Sequence, residues 1–184
     1  MKCFSIIAAI SDSTSGIGMN GKIPWNINGD MTFFKNITSE SCENKSNAVI
    51  MGRKTWESLP KKYRPLHNRI NIVISRDTFA KEKYDIPDSV TLMKSLHLAL
   101  ESLSYNINID KIFVIGGESL YEEAIKSHLC SKLYITQVFC DNLSFDTYFP
   151  IVPKCFKLYK MSDIEVENDI KYRFTWYDNE YLGA

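Results

Sequence analysis

The sequence has no excess of charge of either sign, because 22 Lys and Arg residues balance 22 Asp and Glu residues and the formal net charge is +0 at pH 7. Proteins that bind nucleic acid or an anionic membrane surface usually carry a basic patch that shows in this balance. The whole chain carries no such signal, so we expect neither nucleic acid nor a membrane as a partner. Any recognition of charge must be local.

Long apolar runs are also missing, since no stretch approaches the roughly 20 apolar residues of a membrane-spanning helix. The run from Cys3 to Ile10 is short, and polar residues without a small-residue cleavage site follow it. It is therefore predicted to be a buried first strand and not a signal peptide.

The sequence offers few residues for metal binding or nucleophilic catalysis. Its five cysteines are widely spaced, with no CxxC motif or Cys/His cluster, and the histidines His67, His97 and His128 are scattered. No serine lies in a nucleophile elbow. We therefore expect no metal site, reduced thiols in a cytoplasmic protein, and chemistry that depends on a carboxylate and a cofactor.

The order of apolar patterns predicts an α/β fold in a single domain over 1–184. Strand-like runs alternate with helical patterns over the first two thirds of the chain, which indicates a mostly parallel sheet with helices on both faces. Strands are predicted at 3–10, 48–51, 70–75, 90–93 and 111–115, and helices at 30–38, 53–59, 96–103 and 119–127. Three further strands follow without a helix, at 133–139, 156–160 and 170–177. The last two are predicted to form an antiparallel hairpin at one edge.

Asp30 lies where the helical pattern predicts a buried face, since Phe33, Phe34 and Ile37 cluster around it on a helical projection. An ionised carboxylate buried there needs a protein partner or a cationic ligand, or its pKa shifts sharply. The alternative is that Asp30 caps the N-terminus of the helix after Gly29. This segment alone leaves both interpretations open.

Glycines mark two candidate ligand-binding turns. Residues 16–21 match the GxGxxG pattern after the first strand, but Pro24 breaks any helix that could follow, so the segment is not a Rossmann fingerprint. It is interpreted as a mobile loop that can cover a ligand, or as a plain structural turn. Gly116 and Gly117 join a predicted buried strand to a helix, where the backbone can approach a phosphate closely. A tight turn without a ligand is the alternative there.

Cations follow two other predicted strands. Arg53 and Lys54 begin a helix, where their charge opposes the helix dipole unless an anion binds between them. Ser75 and Arg76 end the next strand. Together with the glycine pair, these residues indicate a ligand with several phosphates, such as a dinucleotide.

Taken in order, these elements resemble the dihydrofolate reductase family over essentially the whole chain. The matching motifs are Ala9, 16–21 with Pro24-Trp25, Asp30 with Phe34, 51–56, Arg64-Pro65-Leu66, Arg69-Ile70-Asn71, Ser75-Arg76, 115–121, Thr136 and 146–150. Each is weak alone, but the set is highly specific. The resemblance implies an eight-stranded, mostly parallel twisted sheet with an antiparallel C-terminal edge and four flanking helices. It also implies NADPH-dependent reduction of 7,8-dihydrofolate to tetrahydrofolate.

The resemblance further implies roles for individual residues around the substrate. Asp30 is expected to hold the pterin by a paired hydrogen bond, with Thr136 bonded to the same carboxylate. Trp25 is expected to hold a water near Asp30, and that water is expected to carry the proton. Arg69 corresponds to the residue that binds the α-carboxylate of the substrate's glutamate. The apolar walls are expected to be Ile7, Ala8, Met31, Phe34, Leu59, Leu66 and Ile115, with Tyr121 beside them.

For NADPH, the resemblance implies three groups of residues. The nicotinamide end matches Ala9, Ile17, Gly18, Gly21 and Lys22. The phosphates and adenosine match Gly52, Arg53, Lys54, Thr55, Ser75, Arg76 and Lys94, of which Lys94 occupies an arginine-like position. The pyrophosphate matches Gly116, Gly117, Glu118, Ser119, Leu120 and Tyr121, and the Gly116-Gly117 peptide is typically cis in the family.

Several features do not match one branch of the family. Asp30 is spaced from Trp25 as in bacterial members, whereas 61–66 and the long polar loop 38–47 resemble eukaryotic or protozoan members. Many protist relatives continue into a thymidylate synthase, so the chain could be the reductase domain of a bifunctional protein. Dihydrofolate and antifolate inhibitors are the expected ligands. Two alternatives stay open: a reductase of another pteridine or pyrimidine, and a non-catalytic nucleotide-binding domain.

Overall fold

A large β-sheet forms the centre of the computed structural model, which describes residues 1–182. In chain order the strands are β1 (Phe4–Ser11), β2 (Gly16–Gly18), β3 (Ser46–Gly52), β4 (Arg69–Ile74), β5 (Thr91–Met93), β6 (Ile109–Val114), β7 (Cys130–Phe139), β8 (Thr147–Tyr148), β9 (Phe156–Met161), β10 (Glu165–Glu167) and β11 (Ile170–Asn179). The α-helices are α1 (Asn28–Ser39), α2 (Arg53–Ser58), α3 (Ala80–Lys83), α4 (Leu96–Ser104) and α5 (Glu118–Ile125). A short 3-10 helix spans Lys61–Tyr63.

The strand order in the main sheet is β10-β11-β7-β1-β6-β3-β4-β5, and β9 also pairs with β11. β10 lies along the start of β11 and β9 along its end, so these two strands share one edge and the sheet has eight positions. Adjacent strands in the part of the sheet β7-β1-β6-β3-β4-β5 are parallel, whereas β11 is antiparallel to β7, β9 and β10. The predicted fold class, the mostly parallel sheet and its antiparallel C-terminal edge are confirmed.

Four of the α-helices correspond to the four that were predicted, and α3 is an additional helix of only four residues. The pattern behind these predictions is clearest in α4, which buries Leu96, Ala99, Leu100 and Leu103 along one face. Ser95 caps this helix by accepting a hydrogen bond from the Leu98 N–H at 3.3 Å. None of the helices within residues 1–182 is both long and apolar enough to cross a membrane.

Apolar residues on the two faces of the sheet form two separate clusters. Ile6 of β1 packs with α4 and α5, whereas its neighbour Ile7 packs with Trp56 of α2 and partly buried residues of α1. This alternation follows from the two-residue period of a strand. Because helices cover both faces, the central strands are apolar along most of their length.

The glycine-rich segment after β1 forms a second, two-stranded sheet in which β2 pairs with β8. The N–H of Asn20 donates to the Asp146 carboxylate at 2.7 Å, and the N–H of Asp146 donates to the Gly18 carbonyl at 3.0 Å. No helix follows this segment until Asn28, as Pro24 led us to expect. The two short strands were not predicted, because two or three residues carry no usable period.

Candidate active site

Asp30 is buried near the start of α1 and is bonded to the sheet. It is 8% exposed, and its Oδ1 accepts a hydrogen bond from the Thr136 hydroxyl at 2.7 Å. Thr136 lies on β7, so the fold joins two residues that are far apart in the chain. The capping interpretation of Asp30 is wrong, because α1 begins at Asn28 and the carboxylate is engaged by β7.

Burial raises the pKa of Asp30 to about 6, although the Thr136 hydroxyl acts in the opposite direction. No cation of residues 1–182 forms an ion pair with it. A carboxylate in this state favours a ligand that presents N–H donors, because such a ligand replaces the hydrogen bonds lost on burial.

Two other buried polar groups belong to the same part of the molecule. The Tyr121 hydroxyl donates to the Ile7 carbonyl at 2.8 Å, and its pKa is raised by burial and further by the charge of Asp30. Trp25 Nε1 is buried and has no hydrogen-bond partner among residues 1–182. A buried indole N–H without a protein acceptor is a suitable place for a bound water.

Most of the residues predicted to line the pterin pack in one apolar cluster on the α1 and α2 face of the sheet. They are Ile7, Phe34, Leu59, Leu66 and Ile115. Met31 is also on α1, but it is 49% exposed. Ala8 differs from the expectation, because the alternation of β1 directs it to the cluster on the opposite face. Its side chain therefore does not extend this apolar wall.

Arg69 lies beside the other end of α1. Its Nε donates to the His67 carbonyl at 2.9 Å, its Nη1 donates to the Thr38 hydroxyl at 2.8 Å, and its guanidinium carbon is 5.8 Å from the centre of the Phe34 ring. Burial lowers its pKa, and no carboxylate of residues 1–182 pairs with it. Its other N–H groups can therefore bind an external carboxylate.

The strand-to-helix turn at Gly116 and Gly117 has a cis peptide bond between the two glycines. Gly116 has a φ of +115°, and a Cβ there would lie 3.2 Å from the Tyr121 ring, so the turn requires glycine. The Gly116 carbonyl accepts a hydrogen bond from the Gly52 N–H at 2.7 Å, which brings the start of α2 beside the start of α5. No side chain of residues 1–182 caps the N-terminus of α5, so its first N–H groups are available to an anion.

Side chains predicted to contact the cofactor surround this turn. Lys54 and Ser119 are exposed in the first turns of α2 and α5. Thr55 Oγ1 would lie 3.3 Å from a Cβ at Gly117, and Leu120 is buried. Glu118 accepts a hydrogen bond from the Tyr148 N–H at 3.0 Å, so α5 is tied to the small second sheet.

The predicted adenosine end contains a cleft of about 220 Å³. It is lined by Ser75, Arg76, Asp77, Thr78, Leu92, Met93 and Lys94. Two of the predicted cations thus share one cleft with a serine hydroxyl. Arg53 does not line it, because its guanidinium forms an ion pair with Glu57 and lies 4.6 Å from the centre of the Tyr84 ring.

The predicted nicotinamide-end residues lie on β1 and in the adjoining loop. Ala9 packs with the cluster that contains Trp25, and Ile17 packs against the core on the α4 and α5 face. A Cβ on Gly18 would lie 2.7 Å from the Thr147 hydroxyl, so β2 approaches β8 closely because Gly18 has no side chain. Gly21 has a φ of +71°, and Lys22 next to it is exposed.

Sequence reasoning missed Glu167, which lies in the last third of the chain. Its carboxylate accepts hydrogen bonds from the N–H groups of Asn28 and Gly29 at 2.8 and 3.0 Å. It lies 139 residues from Asn28 in the chain, so no local pattern could have linked it to α1. The only signal was the acidic, polar composition between the last two predicted strands.

Comparisons with known proteins cover almost the whole chain. The family model described as Dihydrofolate reductase matches residues 3–179. The chain is 40% identical over 179 residues to the bifunctional dihydrofolate reductase-thymidylate synthase of Glycine max, a match that covers 94% of this chain and 32% of that protein. It is 37% identical over 179 residues to the dihydrofolate reductase of Heliothis virescens, covering 94% of this chain and 95% of that protein.

A solved structure gives a similar result. The dihydrofolate reductase of Schistosoma mansoni superposes with a TM-score of 0.82 at 36% identity, covering 97% of this chain and 98% of that one. The chain therefore spans about a third of the length of its bifunctional relatives and nearly all of the stand-alone ones. From the extent of these matches, the chain belongs to the dihydrofolate reductase family.

Proposed function

We propose that the chain catalyses the NADPH-dependent reduction of 7,8-dihydrofolate to 5,6,7,8-tetrahydrofolate. The observation that carries this proposal is a pair of anchors at opposite ends of α1. The buried Asp30 carboxylate lies near the start of the helix, and the half-buried Arg69 guanidinium bonds to Thr38 near its end. Asp30 and Thr38 are separated by about 12 Å along the helix axis, and an apolar wall lies on the same face of the sheet. Dihydrofolate has N–H donors at one end, a carboxylate at the other and aromatic rings between them.

Asp30 binds the pterin through a paired hydrogen bond with its ring N–H and amino group. The Thr136 hydroxyl donates to Oδ1, which leaves Oδ2 and a second lone pair of Oδ1 for the substrate. The donors of the pterin compensate the buried carboxylate, so substrate binding removes a cost that the free protein carries. The removal of this cost when substrate binds is the physical reason for a carboxylate at this position.

Reduction of the pterin requires a proton as well as a hydride. Asp30 is engaged with the ring N–H and the amino group, so we assign proton delivery to a water. The unpartnered Trp25 Nε1 is suited to hold such a water by donating a hydrogen bond to it. With its pKa raised to about 6, Asp30 favours proton uptake at the site close to neutral pH.

NADPH supplies the hydride when it is bound. The residues of the chain fit this cofactor on three counts. Gly116 and Gly117 bring no side chain of their own to the turn, the start of α5 has no side-chain cap among residues 1–182 and can bind a phosphate, and Arg76 and Lys94 line one cleft. These groups hold and orient the cofactor, so the protein acts mainly by positioning.

The decisive experiment is the loss of NADPH absorbance when dihydrofolate is added to the purified chain. Asp30→Asn should lower the single-turnover rate of hydride transfer by roughly 10²–10⁴-fold, the range for lost acid-base assistance. It should leave the dissociation constant for NADPH nearly unchanged. Asp163→Asn is the matched control, because it makes the same change at an exposed carboxylate.

Other results would favour the alternatives. Turnover of a different pteridine or pyrimidine without turnover of dihydrofolate would indicate another reductase of this fold. NADPH binding without any turnover would indicate a nucleotide-binding domain. A wild-type rate in Asp30→Asn would remove Asp30 from the mechanism.

Antifolate inhibitors that carry paired N–H donors on a heteroaromatic ring are proposed to bind at the same carboxylate. The relatives include both bifunctional proteins with a thymidylate synthase and stand-alone reductases. A fused or associated thymidylate synthase is therefore a proposed partner, and a cytoplasmic location stays a prediction.

A further inference from the structure

α1 begins without a capping side chain of its own. The residue before its first turn is Ile27, whose side chain cannot accept a hydrogen bond, so the first N–H groups of the helix need acceptors from elsewhere. Asp30 is close enough in sequence to serve the first turn, but its carboxylate is engaged by Thr136. The helix that carries the proposed pterin anchor therefore depends on another element for its start.

Glu167 supplies that acceptor from the β10-β11 hairpin. Its Oε1 accepts hydrogen bonds from the Asn28 N–H at 2.8 Å and from the Asn28 side-chain Nδ2 at 2.7 Å. Its Oε2 accepts from the Gly29 N–H at 3.0 Å. The neighbouring Asn168 donates through Nδ2 to the Asn26 carbonyl at 2.8 Å. Glu167 and Asn168 thus hold three of the four residues from Asn26 to Gly29 around the helix start.

The turn that presents Glu167 is closed and short. Glu167 pairs with Ile170, and the two residues between them, Asn168 and Asp169, have φ values of 51° and 61°. Positive φ at both central positions is the geometry of a two-residue hairpin turn, and Asn and Asp tolerate it. The direction of the Glu167 side chain is therefore tied to the strands of the main sheet.

The same hairpin packs directly on the backbone of α1. A Cβ added to Gly29 would overlap the Tyr172 hydroxyl, so the helix start approaches β11 as closely as glycine allows. The Tyr172 hydroxyl donates in turn to Glu165 at 2.8 Å. Gly29 immediately precedes Asp30, so these contacts fix the residue next to the pterin anchor.

These contacts form a closed ring around Asp30. On one side, the Asp30 carboxylate is bonded to Thr136 of β7. On the other, the helix start is bonded to Glu167, and β11, which follows it, pairs with β7 so that Phe174 lies opposite Thr136. The side chain of Asp30 is therefore held by β7, and the backbone before it is held by the β10-β11 hairpin, whose strand β11 pairs with β7.

We propose that Glu167 is a positioning residue for Asp30: by capping α1 from the C-terminal hairpin, it sets the direction and the charge environment of the pterin anchor. The inference rests on the proposed reduction of dihydrofolate. It goes beyond that proposal, because Glu167 is not one of the residues proposed to bind substrate or cofactor and acts through the helix start.

The proposal can be tested through the pKa of Asp30. This pKa should change if Glu167 sets the charge around Asp30, and it should stay the same if Glu167 only stabilises the helix start. The titratable groups around Asp30 are Tyr121 of α5 and Tyr172 of β11, whose pKa values are raised partly by its charge, together with Glu167 of β10. Hydrogen bonds from the N–H groups of Asn28 and Gly29 hold the pKa of Glu167 below its usual range, so it is ionised at neutral pH. Its negative charge offsets the positive potential of the helix N-terminus, which would otherwise favour an ionised Asp30.

Neutralising Glu167 should therefore lower the pKa of Asp30. Glu167→Gln should shift it downward by about 0.2 to 0.7 pH unit, the size of a helix-dipole effect. The shift should appear in the pH profile of single-turnover hydride transfer and, independently of activity, in the titration of ¹³C-labelled aspartate carboxyls assigned with Asp30→Asn. Asp169→Asn is the matched control, since it removes the same charge from the same turn without any bond to α1.

Glu167→Ala tests the positional part. It should weaken binding of dihydrofolate at least fivefold while leaving the NADPH dissociation constant unchanged, and Glu167→Gln should restore part of the loss because its amide oxygen can accept one of the bonds. The contrary result is that both variants lower the melting temperature while the titration of Asp30 and the affinity for dihydrofolate stay as in the wild type. In that case Glu167 is a structural cap and the proposal is overturned. A wild-type protein that titrates as expected but does not reduce dihydrofolate would instead overturn the proposed function.

Discussion

Asp30 is a residue whose burial opposes the stability of the fold. Its pKa is raised by burial from an ordinary value of 3.8 to about 6, so the folded chain binds the proton more tightly than the unfolded chain does. A carboxyl shifted in this direction costs nothing at low pH, where both states are protonated. The cost grows as the pH rises above about 4 and is complete above the folded pKa.

Asp30→Asn should therefore stabilise the protein while it lowers activity. The gain in the free energy of unfolding should be near zero at pH 4 and reach about 1 to 3 kcal/mol above pH 7, because each pKa unit is worth about 1.4 kcal/mol. The Thr136 hydroxyl can still donate to the asparagine oxygen, so this bond does not complicate the comparison. Urea unfolding of both proteins across this pH range measures the difference. A gain that does not depend on pH would mean that the pKa of Asp30 is the same in the folded and the unfolded protein.

Arg69 should act on binding and not on the chemical step. Arg69→Leu should raise the dissociation constant for dihydrofolate at least tenfold, because a charge-assisted contact to the glutamate carboxylate is lost. Arg69→Lys is the conservative control. It keeps the charge but not the planar guanidinium, so its loss of affinity for dihydrofolate should be intermediate. A substrate analogue without the glutamate tail should bind all three proteins equally. Equal losses with and without the tail would show that Arg69 mainly supports Thr38 and Phe34.

At the scale of elements, α1 illustrates what local patterns can and cannot predict. Its apolar residues predicted a helix over 30–38, and the structure extends it to Asn28 at one end and Ser39 at the other. The start was misplaced because its cap comes from Glu167 on a distant hairpin. Local rules look for Ser, Thr, Asp or Asn at the helix start, and here that position is Ile27.

The small sheet formed by β2 and β8 is the second element that local patterns missed. Gly16→Ala tests its role, since a Cβ at this position would overlap the Phe145 ring. Overpacking of this kind costs about 1 to 3 kcal/mol, so β2 should separate from β8 and the NADPH dissociation constant should rise about tenfold. Hydrogen exchange of the Asn20 and Asp146 amides should speed up with it. The double variant Gly16→Ala/Phe145→Leu relieves the overlap and should recover much of the affinity, whereas unchanged NADPH binding in Gly16→Ala would separate this loop from the cofactor site.

For the whole molecule, the sequence predicted the order of elements better than their long-range pairing. Apolar runs such as 70–75 and 111–115 predicted the central strands, since helices on both faces require them to be apolar. The bond between Asp30 and Thr136 was expected from the family resemblance, and no local pattern implied it. For Arg53 the resemblance predicted a contact with the cofactor. It did not predict that the guanidinium would pair with Glu57 of its own helix and lie over the Tyr84 ring.

The balanced net charge has a consequence for the choice of cofactor. With 22 cations and 22 anions the net charge supplies no long-range attraction for a phosphate-rich ligand. Discrimination between NADPH and NADH must then come from local cations, and Arg76 and Lys94 line the cleft predicted for the adenosine end. A 2′-phosphate held by these side chains should bind far better than a hydroxyl.

NADPH should therefore exceed NADH in kcat/KM by at least a hundredfold at low salt, about 3 kcal/mol. Arg76→Gln should narrow this gap mainly by weakening NADPH, and Arg53→Gln should narrow it less, because Arg53 is already paired with Glu57. Raising the ionic strength from about 0.01 to 0.15 M should also narrow the gap for the wild type, since Arg76 and Lys94 are exposed and their charges are screened. Steady-state rates with both cofactors measure all three effects. If Arg76→Gln weakens NADPH and NADH equally, the cleft binds a part that both cofactors share, and the 2′-phosphate must be recognised elsewhere.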